Sequence, residues 1–300
     1  MKDNHSKLHR KQFRIDKVAP YIFISPGLIL FFLFSLFPIF FSFYLSLTDW
    51  EGLKTGSFIA LNNYIKLILR DDSFWTAFRN NIYLWVINVP LMTFGSLILA
   101  VLLNMKLKLR SFFRASLFLP VVVSMIVAGL IFLYLVDPQY GLISLIIGKF
   151  GLEMFNIKTN PHTAVPLINM VVLWRWTGFN TVIQLAGLQA IPTEIIESSI
   201  VEGASFWQRF RYIIVPMMRP IIVFAMMMST IGTFNLFDES FILFGSEGGI
   251  EQSGLLLATL LYRNAFLYFK LGYASAIAFV INIIIFIGTL IFYRYARTEY

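Results

Sequence analysis

Side chains able to do acid–base, nucleophilic or metal chemistry are few in this chain, and none has a catalytic spacing. The three histidines, His5, His9 and His162, are scattered, and no serine–histidine–aspartate or metal-ligand pattern surrounds them. Cysteine is absent, which removes disulfides and thiolate metal sites. The phosphate-binding loop G-x-x-x-x-G-K-[ST] is absent too: Gly141 and Gly148-Lys149-Phe150 have the wrong spacing and the wrong last residue. The chain is therefore expected to be no enzyme and to carry no cofactor or metal of its own.

Two other groups of residues can do physical work. The first is a set of polar and aromatic side chains inside long apolar runs: Asn169, Trp174, Arg175, Trp176 and Asn180 in one, Thr233, Phe234, Asn235, Asp238 and Glu239 in the next. Polar groups in such runs are costly and tend to face a cavity or a partner helix. Aromatic faces combined with hydrogen-bonding amides suit a sugar, so Asn169, Trp174, Trp176, Asn180, Phe234, Asn235 and Asp238 are the expected substrate path. The competing reading is helix–helix adhesion, or snorkelling for Asp238 and Glu239. Arg175 is expected to be structural, paired with a carboxylate or a carbonyl.

The second group is the segment from Ile191 to Pro220, IPTEIIESSIVEGASFWQRFRYIIVPMMRP, which separates two apolar runs. Pro192 suits a first helical position, having no amide to leave unpaired. Glu194 and Glu197 then lie near the positive end of the helix dipole, and Ile196 and Ile200 share a face. Gly203 permits a left-handed turn. Ser205 with Gln208 has the spacing of a capping box for a second helix, whose apolar side is Phe206, Phe210 and Ile213 or Ile214, with Arg209 and Arg211 exposed. Pro216 and Pro220 bracket the return to the apolar run. From the residues alone, a docking element and a plain interfacial connector both fit.

The elements that must hold these groups follow from composition. Of 300 residues, 58% are hydrophobic and 13% charged, against about a quarter charged in a soluble domain. The apolar runs predict an all-α integral membrane protein with six spans, roughly 21–47, 80–104, 112–135, 163–187, 218–242 and 271–294. The first run exceeds a signal-peptide core, and no small-residue cleavage site follows it. Pro26 and Pro38 inside it predict irregular helix. Lysines and arginines set the orientation: fifteen on the side of both termini, eight opposite, and Arg175 within a span. By the positive-inside rule both termini and the Ile191 segment are cytoplasmic, and membrane orientation explains the net charge of +8 better than nucleic acid does. The expected organisation is a tail over 1–20, a membrane domain over 21–294 with a coupling loop at 191–220, and a tail over 295–300.

On the outer side, a short helix is expected around Leu61–Leu69, capped by Asn62 or Asn63. Leu142–Phe150 is too short to span, and the loop Phe244–Ser253, FGSEGGIEQS, is expected to be mobile. Trp50, Trp75 and Tyr140 fall where an aromatic belt belongs.

The pattern IP-x-E-x-x-E-S-S-x-x-E-G-A-S-x-W-x-x-F-x-x-I-x-x-P-x-x-x-P resembles the EAA loop of permease subunits of binding-protein-dependent ABC importers. Glu197, Gly203, Ala204, Phe210 and Pro216 match that family's pattern. Ser198 and Ser199 replace its two alanines, and Glu202 its aspartate, keeping size and charge. Ser25-Pro26-Gly27, Thr48-Asp49-Trp50, Arg79-Asn80-Asn81, Trp174 through Asn180, Ala186-Gly187-Leu188-Gln189 and Gly272 through Ala276 extend the likeness to the carbohydrate-uptake branch, over most of the chain. It is most similar to the first permease of maltose- and glycerol-3-phosphate-type importers, without the large outer domain of some maltose permeases. Only Gly248-Gly249-Ile250 stands where a GGP pattern is usual.

The resemblance implies a type I importer fold in the cell membrane. It implies a second homologous permease, an ATPase dimer that binds the ATP, an extracytoplasmic binding protein, and a sugar as cargo, amid membrane lipid and with no nucleic acid. It assigns ATPase coupling to Glu197, Ser198, Glu202, Gly203, Ala204, Phe206, Phe210 and Pro216. A permease for glycerol phosphate or a polyol, and a membrane protein that docks a cytoplasmic partner without transport, are the alternatives.

Overall fold

The computed structural model describes residues 19–52, 54, 56–105, 108–150 and 160–297. The basic tail with His5 and His9, and Lys106 and Lys158, lie outside them. In chain order the helices are α1 (Ala19–Ser46), α2 (Asn62–Arg70), α3 (Asp72–Asn104), α4 (Arg110–Val122), α5 (Met125–Leu135) and α6 (Leu142–Lys149). There follow α7 (Ala164–Gln189), α8 (Thr193–Val201), α9 (Phe206–Arg209), α10 (Val215–Phe234), α11 (Asp238–Phe244), α12 (Leu257–Tyr262) and α13 (Leu271–Arg297). Among the described residues there is no strand, only two isolated bridges.

Length and apolarity mark four membrane-crossing helices: Ala19–Ser46, Asp72–Asn104, Phe206–Phe244 and Leu271–Arg294. The expected single span over 112–135 is instead two helices, α4 and α5, meeting at 100° after Val122. Counted as one broken span, they make a fifth. Helix α7, with 26 residues, has the length of a sixth, about 39 Å at the helical rise; Trp174-Arg175-Trp176-Thr177 dilutes its apolarity. The exposed surface is that of a protein surrounded by lipid. Tyr21, Phe23, Phe34 and Phe40 on α1 are each 68–85% exposed, an apolar face larger than soluble monomers leave bare.

Proline placement explains two of the π turns. Phe32–Leu36 and Phe210–Ile214 form π turns just before Pro38 and Pro216. A proline ring strikes the carbonyl four residues earlier. Here those residues are Phe34 and Tyr212, and each lies inside the wider turn that relieves the clash. The irregularity expected near Pro38 is therefore present, while the helix runs through Pro26 unbroken. In α3, a third π turn, Leu91–Gly95, follows Pro90.

Among the described residues, three larger apolar clusters and a small fourth, Ala100, Leu103 and Leu185, hold the bundle. One joins α3, α5, α7 and α11 through Leu84, Phe132, Leu167, Val171 and Leu243. A second joins α2, α3, α12 and α13 through Leu67, Ala77, Leu260 and Ile277. The third joins Leu97, Val101, Leu188 and Ile222 to Ile214 and Met218 of the 191–220 segment.

Buried amides tie distant segments together. Asn81 donates to the Thr233 carbonyl at 3.0 Å and accepts from the Leu257 amide at 2.8 Å, with no exposure. Its neighbour Asn80 donates to the carbonyls of Ser253 and Leu255. Asn81→Leu leaves two buried backbone groups unpaired, and we expect a loss of roughly 2–4 kcal/mol, read as a lowered unfolding midpoint in detergent.

Two outer-side expectations are corrected. Neither Asn62 nor Asn63 caps α2; Leu61 is the cap residue, and Asn63 donates to the carbonyls of Ser46 and Thr48, which otherwise lack a ladder partner at the end of α1. The 244–253 loop is folded rather than loose: Glu247 pairs with Arg263 at 2.9 Å, and the Ser240 hydroxyl and Gly248 carbonyl engage Gly254. Glycine there supplies tight backbone turns, not slack.

Candidate functional site

The 191–220 segment is a closed set of hydrogen bonds. Pro192 has extended geometry (ψ 129°), so it is the cap of α8 and Thr193 the first helical residue, one position later than expected. At the other end, the Gly203 amide donates to the Ile200 carbonyl at 3.0 Å and the Ala204 amide to the Ser199 carbonyl at 2.9 Å. With φ of +81° at Gly203, this is a Schellman termination, which calls for glycine at that position. Ser205 and Gln208 form the expected capping box: each backbone amide donates to the other's side-chain oxygen, at 2.7 and 3.3 Å. Arg209 then closes the turn, donating to the Ala204 carbonyl at 2.6 Å.

The segment has an inner and an outer side. Ile196 and Phe210 pack on the third cluster, and Ser199 is buried. Glu197, Ser198, Glu202, Gly203 and Pro216 are exposed, and Ala204 is half-buried. Large apolar side chains are exposed with them: Val201, Trp207, Ile200 and Phe206. Such a surface, rigid and both acidic and apolar, fits a protein partner. Its carboxylates Glu194, Glu197 and Glu202 do not converge; among the described residues no cluster of three potential metal-binding side chains exists.

Inside the bundle, α10 stops at Phe234 and α11 starts at Asp238, leaving residues 235–237 unwound. Non-helical backbone at this depth is tolerated where it lines a cavity, and one of about 580 Å³ lies there. Trp176, Phe179 and Asn180 of α7 face Asn235, Phe237 and Asp238 across it. Arg175 and Glu239 close one wall, with Nη1 and Oε1 3.6 Å apart and both side chains largely buried. The Arg175 guanidinium also lies 5.3 Å from the Trp176 ring. Arg175 thus has the carboxylate partner expected of it, and Glu239 is buried rather than snorkelling.

Of the seven expected path residues, Trp176, Asn180, Asn235 and Asp238 line the cavity, while Asn169, Trp174 and Phe234 do not. Helical geometry accounts for the difference. Phe234 adjoins Asn235, about 100° round the helix, and is 2% exposed against Trp85. Trp174 stands nearly opposite Trp176 and meets Phe132 edge-on at 5.5 Å. Asn169, seven residues before Trp176, shares its face of α7 but lies two turns away along the helix, its buried Oδ1 without a partner. Met92, Phe179, Ser229 and Phe237 were not anticipated. Phe179 was discoverable as three residues beyond Trp176; Met92 and Phe237 depend on the π turn and the helix break.

These features define a helical multi-pass membrane protein with a largely apolar cavity, set with a few polar groups, at the break between α10 and α11, the class of a transport component. Residues 18–298 match the family described as "Binding-protein-dependent transport system inner membrane component", and the chain belongs to that family. It is 36% identical to the "Probable ABC transporter permease protein YurN" of Bacillus subtilis, over 94% of this chain and 97% of that one. It is 35% identical to the "Arabinooligosaccharides transport system permease protein AraP" of the same organism, over 94% and 90%. It is 34% identical to the "Lactose transport system permease protein LacF" of Rhizobium radiobacter, over 95% and 96%. In fold it matches a chain of a bacterial alginate ABC transporter, crystallised in complex with an alginate pentasaccharide-bound periplasmic protein. The TM-score is 0.79 at 19% identity, over 95% and 96% of the two chains.

Proposed function

We propose that this chain is one permease of an ATP-driven importer that carries a sugar or oligosaccharide handed over by an extracytoplasmic binding protein. A second, homologous permease completes the passage. A cytoplasmic ATPase dimer grips the 191–220 segment, through Glu197, Glu202 and the apolar residues around Gly203. Both termini lie in the cytoplasm, in keeping with the lysine and arginine count. ATP-driven closure of the ATPase pushes the segment and shifts the cavity between outward and inward exposure, a two-state change biased from two sites.

The observation that carries this reading is the cavity at the α10–α11 break, where Trp176 and Phe179 provide ring faces and Asn180, Asn235 and Asp238 hydrogen-bonding groups. The charge of its lining favours a neutral cargo over glycerol phosphate. Its arginine, Arg175, already faces Glu239, and Asp238 adds a second carboxylate. The names of AraP and LacF point to sugars as well. The test is ATP hydrolysis by the assembled transporter: sugar-loaded binding protein is expected to stimulate it several-fold over the unloaded complex, and hydrolysis indifferent to the binding protein would refute the proposal.

A further inference from the structure

Gln189 ends α7, and only Ala190, Ile191 and Pro192 separate it from α8. Its amide, with the oxygen turned toward α4, accepts from Arg114 Nη2 at 2.9 Å and from Arg110 Nη2 at 2.8 Å. Those arginines are one turn apart on a single face of α4. Arg110 also donates to Asn104 Oδ1 at 3.2 Å, at the end of α3. The ends of α3 and α7 and the start of α4 therefore meet at one polar joint.

Several observations set this joint apart from ordinary interfacial basic residues. A topology signal needs positive charge in a loop; it does not need two guanidiniums converging on one oxygen. Among the described residues neither arginine has a carboxylate within ion-pair distance, so the charge is directed at the Gln189 oxygen and the carbonyl end of α7, where cations are favoured. Helix α4 is held to α7 a second time, three turns away. There Gly178 lies so close to the Leu117 carbonyl that a Cβ would collide with it. Two such points make α4 and the cytoplasmic half of α7 a single body. Beyond its bend, the chain continues as α5, which packs on α11, the helix that carries Glu239.

We propose that Gln189, Arg110 and Arg114 are positioning residues for transport, locking α4 to the root of the 191–220 segment so that α4 travels with it. The proposal rests on the docking role given to that segment above. A push on α8 then reaches the cavity wall by way of α4, its bend and α5, as well as along α7.

The test uses the full transporter with its ATPase and binding protein in nanodiscs for labelling and hydrolysis, and in proteoliposomes for uptake. Gln189→Leu is expected to retain the ATPase subunit and its hydrolysis while sugar taken up per ATP falls about fivefold, the lower end of measured allosteric couplings. Gln189→Glu, which keeps an acceptor for both arginines, is expected to restore it. Unchanged uptake per ATP in Gln189→Leu, loss of the ATPase subunit, or a failed Gln189→Glu rescue would each overturn the proposal. Because the chain has no cysteine, spin labels can be placed at Ser111→Cys on α4 and Glu194→Cys on α8, both exposed. Their separation is expected to be the same in nucleotide-free and vanadate-trapped states with Gln189 present, and to differ between those states in Gln189→Leu. A separation that changes with Gln189 in place would overturn the link, whatever the activity. The docking role fails by a different result, wild-type uptake in Glu197→Lys and Gly203→Asp alike, with the spin-label distance unaffected in Glu197→Lys.

Discussion

Gly203→Asp is expected to insert and fold normally and yet lose sugar uptake by about tenfold or more, which needs only about 1.4 kcal/mol of lost docking energy. Space is not the obstacle, because a Cβ at Gly203 meets no atom within 4 Å. The left-handed φ of +81° costs a non-glycine residue about 1–2 kcal/mol, and aspartate tolerates it better than most. That strain loosens the Schellman turn, while the new carboxylate joins Glu202 on the exposed face. Glu197→Lys reverses a charge on the same face without touching the turn, so it is expected to impair uptake with an intact backbone. ATP hydrolysis and uptake measured in the same proteoliposomes check both variants. Wild-type uptake in both would remove the docking role from this segment.

The second large effect is expected at Glu239. Glu239→Ala leaves the largely buried Arg175 guanidinium without its carboxylate, and breaking a buried pair from one side costs about 3–5 kcal/mol. The 3.6 Å separation is longer than a charge-assisted hydrogen bond, so the lower end of that range is the expectation. A thermal unfolding series in detergent should show Glu239→Ala well below wild type, and the paired replacement Arg175→Met with Glu239→Leu close to it. Recovery of stability without recovery of uptake would mark the pair as part of the passage. An unfolding midpoint in Glu239→Ala equal to wild type would contradict a buried pair at this position.

How much was legible in the sequence differs between the two sites, for physical reasons. The 191–220 turn depends on neighbours in the chain: a left-handed glycine, a serine and glutamine three apart, and a proline that ends an irregular turn. Local rules therefore located Gly203, Ser205 and Gln208 correctly and erred at Pro192 by one position. The cavity depends on contacts between helices distant in sequence. Hydropathy marks the polar residues of α7 and α10, but it tells neither which side of a helix faces inward nor how far along the helix the cavity lies: Trp174 and Phe234 are on the wrong side of their helices, and Asn169 is two turns beyond the cavity. The bend after Val122 escapes hydropathy for a related reason: Ser124 is the one polar residue in Val-Val-Val-Ser-Met, and a mainly apolar window reports burial or lipid without reporting direction. Gln189 was visible within a family pattern, yet its partners Arg110 and Arg114 lie some 75 to 80 residues away, beyond the reach of any local rule.

The most direct test of the central claim is ATP-driven accumulation of labelled oligosaccharide in proteoliposomes holding this chain with its partner permease and ATPase. The binding protein is added on the side opposite the ATPase. The predicted result is accumulation that requires both ATP and the binding protein and that is lost in Gly203→Asp. Accumulation without ATP, or none with every component present and the ATPase active, would contradict it.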